Sequence, residues 1–324
     1  MDIYVKKAII HQFSPDDTDL YLADKFLNIT PKIEEYLRKK IERVYSDEAR
    51  TGIFEEDNPF LEMISDDLLE TSVAVANRWK EEFVVSENQK TNDLVFVQFS
   101  KEGVEHFAFL RIALRETLTH LGGEVDNPIK LTQNNLPGFG TGADEALVIN
   151  LQSHKYYLIE KRIKYNGTFL NYFSENLLQA QPKISPKKSI KALEKTAQKI
   201  AESFNTDDFQ FQSKVKSAIF NHIEEENKLS PEKLADDLFD DNLTARLSFI
   251  DQVKEAVPEP VTFEEIDASR QLKKFENQKL SLSNGIELIV PNNVYEDAES
   301  VEFILNENGT YSILIKNIED IQSK

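Results

Sequence analysis

The sequence predicts an α+β chain: an N-terminal antiparallel sheet with helices, then a helical region followed by an antiparallel β meander. Three observations predict it. In the first half, apolar runs come in adjacent pairs joined by short turns, so strands are linked as hairpins and not through alternating βαβ units. Residues 187–256 carry helical periodicity with few breaks. Near the C-terminal end, Asn284-Gly285 and Asn308-Gly309 each sit between two apolar runs, a strong hairpin signal.

Residues 3–13 mix β-branched and aromatic residues and read as a strand, and 19–27 as a second, with a turn at 14–19. Thr30-Pro31 opens a helix, because proline is tolerated at the first helical position. Ile33, Leu37, Ile41 and Val44 form its apolar stripe. A second helix covers about 65–85 and carries Leu68, Leu69, Val73, Ala76 and the single Trp79. Strands follow at 94–99 and 106–114, joined through Lys101-Glu102-Gly103, and at 146–151 and 156–163, joined by residues 152–155. Asn166-Gly167 ends the last strand, and residues 168–180 read as a short amphipathic helix.

Gln181-Pro182-Lys183-Ile184-Ser185-Pro186 reads as the linker, since its prolines and polar residues break the preceding helix. The expected domains are therefore an α+β domain over 1–180 and a helical plus β-hairpin domain over 181–324. Helices are expected at about 187–204, 208–226, 231–239, 243–256 and 263–275. The meander is expected at 279–283, 286–290, 301–305 and 310–316.

A chain of 324 residues exceeds the usual size of one core, which supports two domains. The chain contains no cysteine, which excludes disulfides, iron–sulfur clusters, Cys-ligated zinc and thiol catalysis. Its first residues lack a secretory apolar region, and no apolar run approaches the roughly 20 residues that span a bilayer. The expectation is a cytoplasmic protein with no membrane partner.

Motifs for catalysis are scarce. Gly138-Phe139-Gly140-Thr141-Gly142 follows Asn-Asn-Leu-Pro and enters a strand, whereas a dinucleotide fingerprint follows a strand and opens a helix. It reads as a flexible turn. His11, His106, His120, His154 and His222 show no metal-ligand spacing. Asp144 with Glu160 and Lys161 only loosely imitates a nuclease site. No cofactor, metal or catalytic residue is expected, and a metal-dependent nuclease or phosphoesterase is the weakest of the functional readings.

Charge is the stronger signal. The whole chain carries −19, yet residues 151–200 hold ten cations against three carboxylates, a net +7. The remainder carries −26. A local positive field inside an acidic chain points to a specific anionic partner. The candidate nucleic-acid-binding residues are Lys155, Lys161, Arg162, Lys164, Lys187, Lys188, Lys191, Lys195 and Lys199. With Lys188 at 0° and about 100° per residue, Lys191, Lys195 and Lys199 fall near roughly 300°, 340° and 20°. Ile190, Leu193, Ala197, Ile200 and Phe204 fall opposite, between about 120° and 200°. The lysines are thus spaced about 4.5–6 Å along the axis, comparable to phosphates on one strand. Simple amphipathicity also predicts polar residues there, but not that nearly all should be lysine. Tyr156, Tyr157, Tyr165, Phe169, Tyr172 and Phe173 precede the stripe and read as core rather than as base-stacking rings.

Residues 5–30 (VKKAIIHQFSPDDTDLYLADKFLNIT), 41–58 (IERVYSDEARTGIFEEDN) and 146–178 (ALVINLQSHKYYLIEKRIKYNGTFLNYFSENLL) resemble the bacterial 37-kilodalton nucleoid-associated protein family. The resemblance covers most of residues 1–180 and is looser beyond. It implies association with the nucleoid and DNA binding, without catalysis. The expected function is largely sequence-independent DNA binding through phosphate contacts from the island. The alternative is an acidic interaction module whose partner is a DNA-handling protein. A homodimer would set two basic islands on one duplex.

Overall fold

The computed structural model describes residues 1–16, 18–83, 90–120, 129–165, 167–204, 209–263 and 265–322. The chain forms two compact units, Met1–Ser185 and Pro186–Lys324. The α+β architecture expected from the sequence is present in both.

The first unit contains β1 (Ile3–Ser14), β2 (Asp19–Tyr21), α1 (Pro31–Glu42), β3 (Arg50–Ile53), α2 (Leu68–Phe83), β4 (Asn92–Lys101), β5 (Val104–Ala113), β6 (Arg115–His120), β7 (Ile129–Asn135), β8 (Glu145–Asn150), β9 (Lys155–Ile159), β10 (Ile163–Tyr165) and β11 (Thr168–Leu170). Seven strands make one antiparallel sheet in the order β2-β1-β4-β5-β8-β9-β3. Both faces are covered, which is why β4 reads as a nearly unbroken apolar run. Leu94, Phe96, Phe107, Phe109, Leu147 and Leu158 face one core with Trp79 and Val75 of α2. Val95, Val97, Ala108, Leu110 and Val148 face the other core with Leu37 and Ile41 of α1.

The pairing register of β1 slips between Val5 and Lys7, leaving Lys6 as an extra residue. The slip changes the phase of the alternation, so Val5 and Ala8 both reach the α1 side. Thr30 Oγ1 accepts from the Ile33 N–H (3.4 Å) and caps α1, with Pro31 in the first turn.

Several elements differ from the sequence expectation. The second strand is only Asp19–Tyr21, and the segment 22–27 is irregular. The predicted helix over 168–180 is β11 followed by a single π turn at Phe173–Leu177. β6 and β7 form an exposed ribbon outside the main sheet that the sequence reading did not assign. Leu118 is the single apolar residue of β6, and β7 has only Ile129 and Leu131, too little pattern to separate from loop. β3 is likewise outside the sequence expectation. It is a short edge strand whose Gly52 lies against Tyr156, and a Cβ there would collide with the Tyr156 hydroxyl.

The segment read as a linker is bound to the first unit. Lys183 donates its N–H to Thr51 O (2.8 Å) and pairs with it as a β-bridge. Arg50 Nη2 donates to Pro182 O (2.9 Å), and Pro182 and Ser185 are buried.

The second unit contains α3 (Pro186–Ser203), α4 (Phe209–Glu226), β12 (Lys228–Leu229), α5 (Pro231–Leu238), α6 (Leu243–Lys254), β13 (Val261–Thr262), α7 (Glu265–Phe275), β14 (Asn277–Ser281), β15 (Glu287–Pro291), α8 (Asn292–Tyr295), β16 (Val301–Leu305) and β17 (Tyr311–Ile315). Its core is helix on helix, built from Leu193, Ala197, Ile219, Ile223, Leu234 and Phe249 among others. The expected meander is two separate hairpins, β14–β15 and β16–β17, because α8 and the turn after it interrupt the sequence between them. Gln278 fastens the first hairpin by donating to Ser213 O (3.2 Å) and Asn292 Oδ1 (2.8 Å). Phe209 holds the second, 5.1 Å from the Phe303 ring and 5.2 Å from that of Tyr311.

Candidate nucleic-acid interface

Apolar periodicity decides which side of α3 is left to solvent. Ser189, Ile190, Leu193, Ala197, Ile200 and Ala201 are buried. Lys187, Lys188, Lys191, Lys195 and Lys199 are exposed. Lys188, Lys191, Lys195 and Lys199 therefore form one solvent stripe, as the helical wheel requires. Lys199 Nζ donates to Gln252 Oε1 on α6 at 3.1 Å. Among the described residues Lys188 and Lys195 have no ion pair. Glu194 is half-buried beside the stripe. Burial pushes its carboxyl up, against the opposing charges of Lys216 and Lys191.

The remaining predicted residues lie in the first unit. Lys155 at the start of β9 sits over the Tyr157 ring (5.1 Å). Lys161, Arg162 and Lys164 are exposed where the chain leaves β9 and forms the β10–β11 hairpin. Lys161 Nζ pairs with Asp144 Oδ1 at 2.7 Å. Burial alone would raise the Asp144 carboxyl. The hydrogen bonds from Lys161 and the Ala113 N–H, with the charges of Lys161 and Arg111, outweigh it and hold the group below its usual value. The island is thus divided: Lys155, Lys161, Arg162 and Lys164 belong to one unit, and the α3 lysines to the other.

Two buried carboxylates bracket the β10–β11 hairpin. Glu145 accepts from Arg111 Nε (2.5 Å), from the Lys161 N–H (3.4 Å) where the chain approaches the hairpin, and from the Tyr172 hydroxyl just after it. Trp79 Nε1 donates to Tyr172 Oη at 3.0 Å, and Arg111 Nη1 donates to Asn92 Oδ1 at 2.9 Å. Burial and the charge of Glu145 push the Tyr172 hydroxyl well above its ordinary range, so it stays a donor. Glu160 accepts from Arg50, from the Ser174 N–H (3.0 Å) and from Ser174 Oγ (2.9 Å), and its side chain is only 4% exposed. The grouping of Asp144, Glu160 and Lys161 that loosely imitates a nuclease is therefore taken up by internal partners. Among the described residues no set of three His, Asp or Glu side chains converges as a metal site.

The aromatic residues divide sharply. Tyr156, Tyr172 and Phe173 are core, as expected, and Tyr157 is half-buried. The side chain of Tyr165 and the residue Asn166 lie outside the described residues. Phe169 contradicts the core reading: it is 62% exposed. Strand pairing explains this, because Phe169 lies opposite Lys164 on the outward face, whereas Ile163 and Leu170 point to the core.

The glycine loop is held in place. Lys40 of α1 is fully buried and donates to the carbonyls of Pro137 (3.4 Å), Gly138 (2.9 Å) and Thr141, with its ammonium 4.5 Å from the Tyr36 ring. Burial pushes the Lys40 amine down to about 8. The charges of Arg43 and Arg115 act the same way, and Asp144 acts against them. The expected flexible turn is thus a loop pinned by a buried cation. Three of the histidines have local duties: His11 and His106 are buried in the sheet, and His222 pairs with Asp237 at 2.6 Å.

A two-sided antiparallel sheet followed by a helical unit that opens on a lysine stripe defines an acidic α+β protein with concentrated cationic surfaces. Residues 9–321 match the NA37 family, described as nucleoid-associated protein YejK, and the chain belongs to that family. This bears out the resemblance carried by residues 5–30, 41–58 and 146–178. No curated protein matches the chain. Among the described residues no helix is long and apolar enough to cross a membrane.

Proposed function

We propose that the protein acts at the nucleoid by binding DNA largely without regard to sequence, through lysine contacts to phosphate, and without catalysis. The observation that carries this reading is the solvent stripe of Lys188, Lys191, Lys195 and Lys199 on one face of α3 in a chain of net charge −19. Lysine is a flexible point donor. It suits phosphate as a point charge and lacks the planar fork of Arg. Repulsion from the acidic remainder confines a polyanion to the cationic faces.

The test is duplex binding as a function of salt. Replacing the four stripe lysines with Gln is expected to weaken binding and lower the slope of log affinity against log salt by up to about four units, one per lost contact. Replacing Lys161, Arg162 and Lys164 together tests the first unit separately. The stripe lysines are exposed, so their replacement should change stability by about 0.5 kcal/mol or less, and the second variant should cost more, because Lys161 pairs with half-buried Asp144. If both variants bind duplex like the parent at about 50 mM salt, the lysines are a solvated face and this reading is wrong.

The −26 carried outside the island favours a second reading, an acidic surface that meets a basic DNA-handling protein. Pull-down with and without nuclease separates the two, since a direct protein contact survives loss of DNA. A homodimer would place two islands on one duplex, and sedimentation tests it.

A further inference from the structure

The β10–β11 hairpin has two faces with opposite fates. Ile163 is 7% exposed and Leu170 packs against the same core. The opposed pair, Lys164 and Phe169, leaves on the other face. The inward pair already secures the hairpin, so the fold gains little from a large apolar ring on the outward side. Phe169 is nevertheless the most exposed phenylalanine among the described residues, at 62% against 42% for Phe26 and 41% for Phe139.

Its surroundings are cationic. Arg162 immediately precedes the hairpin and Lys164 is its cross-strand neighbour, while Lys161 before them pairs with Asp144. Of the carboxylates nearest in sequence, Glu160 is turned inward to Arg50 and Ser174. The base of the hairpin is tied to the core by hydrogen bonds. Glu145 binds the chain on both sides of it, through the Lys161 N–H and the Tyr172 hydroxyl, and Glu160 is joined to Ser174 in the same way. An exposed ring on a hydrogen-bonded mount beside Lys164 and Arg162 matches what a base and its adjoining phosphates require. The ring offers a stacking face that accepts any base, and the cations offer phosphate contacts.

We propose that Phe169 is a base-stacking residue that takes an unstacked base from single-stranded or locally opened DNA, with Lys164 and Arg162 contacting the adjoining phosphates. This rests on the DNA-binding reading above and extends it: the first unit would recognise opened strands, and the α3 stripe the phosphate backbone of any duplex.

The experiment compares the full chain with Phe169→Ala, Phe169→Trp and Lys164→Gln. The probes are labelled oligo-dT, a perfect duplex, and the same duplex with an unpaired bulge, each titrated over a range of salt. Phe169→Ala is expected to bind oligo-dT and the bulged duplex about 5- to 150-fold more weakly, with the perfect duplex little changed. The salt slope should not move, because no charge is lost. Lys164→Gln should instead lower the slope by about one unit. Phe169→Trp should keep the affinity, and its emission should be quenched by oligo-dT. Trp79 is fully buried and bonded to Tyr172, so the parent serves as the unquenched control.

If Phe169→Ala binds oligo-dT and the bulge like the parent, stacking is overturned while the α3 reading stands, and the exposed ring belongs to a protein contact. An equal loss on all three probes also overturns it. If the parent binds no DNA of any kind, the broader reading falls and takes this one with it.

Discussion

At His11 one backbone donor decides the protonation state. The Ala23 N–H donates to His11 Nδ1 (3.0 Å), so the ring proton sits on Nε2 and faces Ser72 Oγ at 3.0 Å. Burial lowers the pKa of this ring below 6.5, and burial also lowers that of His106 despite an opposing hydrogen bond to Val104 O. The unfolded chain therefore takes up protons near pH 6.5 that the native state refuses. Stability should be complete above that value and fall as pH drops below it toward the folded pKa. Urea unfolding at neutral and mildly acidic pH checks this. In His11→Gln the acid loss should be smaller than in the parent, and an unchanged loss would rule His11 out as a source. Lys40 poses the reverse problem, because its three carbonyl partners need a donor. Lys40→Met should cost about 1–3 kcal/mol, since the loop carbonyls lose their partner. A melt within error of the parent would show that water replaces the ammonium without penalty.

Edges and brackets carry the risk at the level of elements. Gly52 lets β3 close the sheet against Tyr156, whose hydroxyl occupies the place of any Cβ. Gly52→Ala should destabilise the first unit by about 1–3 kcal/mol, because either the ring or the edge strand must shift. Thermal unfolding measures it, and no change would mean the ring rotates away freely. Glu145 is more central, since it links β5, the start of the β10–β11 hairpin and Tyr172. Glu145→Gln leaves the Arg111 charge buried without its counter-ion, at a cost of about 3 kcal/mol. It should also loosen the hairpin that presents Phe169, which hydrogen exchange of residues 163–170 would report as faster exchange.

For the whole molecule, the division into two units sets where the chain is exposed to proteases. The sequence predicts a linker at residues 181–186, yet Pro182 and Lys183 within it are tied to β3 by the Lys183–Thr51 bridge and by the bond from Arg50 to Pro182. Trypsin should therefore cut only slowly after Lys183 under native conditions, although the side chain is exposed. Early cleavage there would mean that the bridge does not persist in solution. The same division gives each unit its own share of the basic island, so the two multiple-lysine variants test separate surfaces.

Local pattern by itself determined a good deal of this protein. The paired apolar runs defined the central strands, Thr30-Pro31 opened α1, the Asn-Gly pairs 284–285 and 308–309 placed two hairpins, and helical spacing predicted the α3 stripe. These rest on periodicity and turn chemistry within a few residues, which a sequence displays directly. Three further features were decided only by the tertiary structure. Phe169 faces solvent because strand pairing with Lys164 sends it outward, although composition alone reads it as core. Glu160 is consumed by Arg50, 110 residues away, and Lys40 is caged by carbonyls about 100 residues on. Such partners are chosen by packing across the sheet, and nothing in the local spacing of residues encodes a hydrogen bond over that separation.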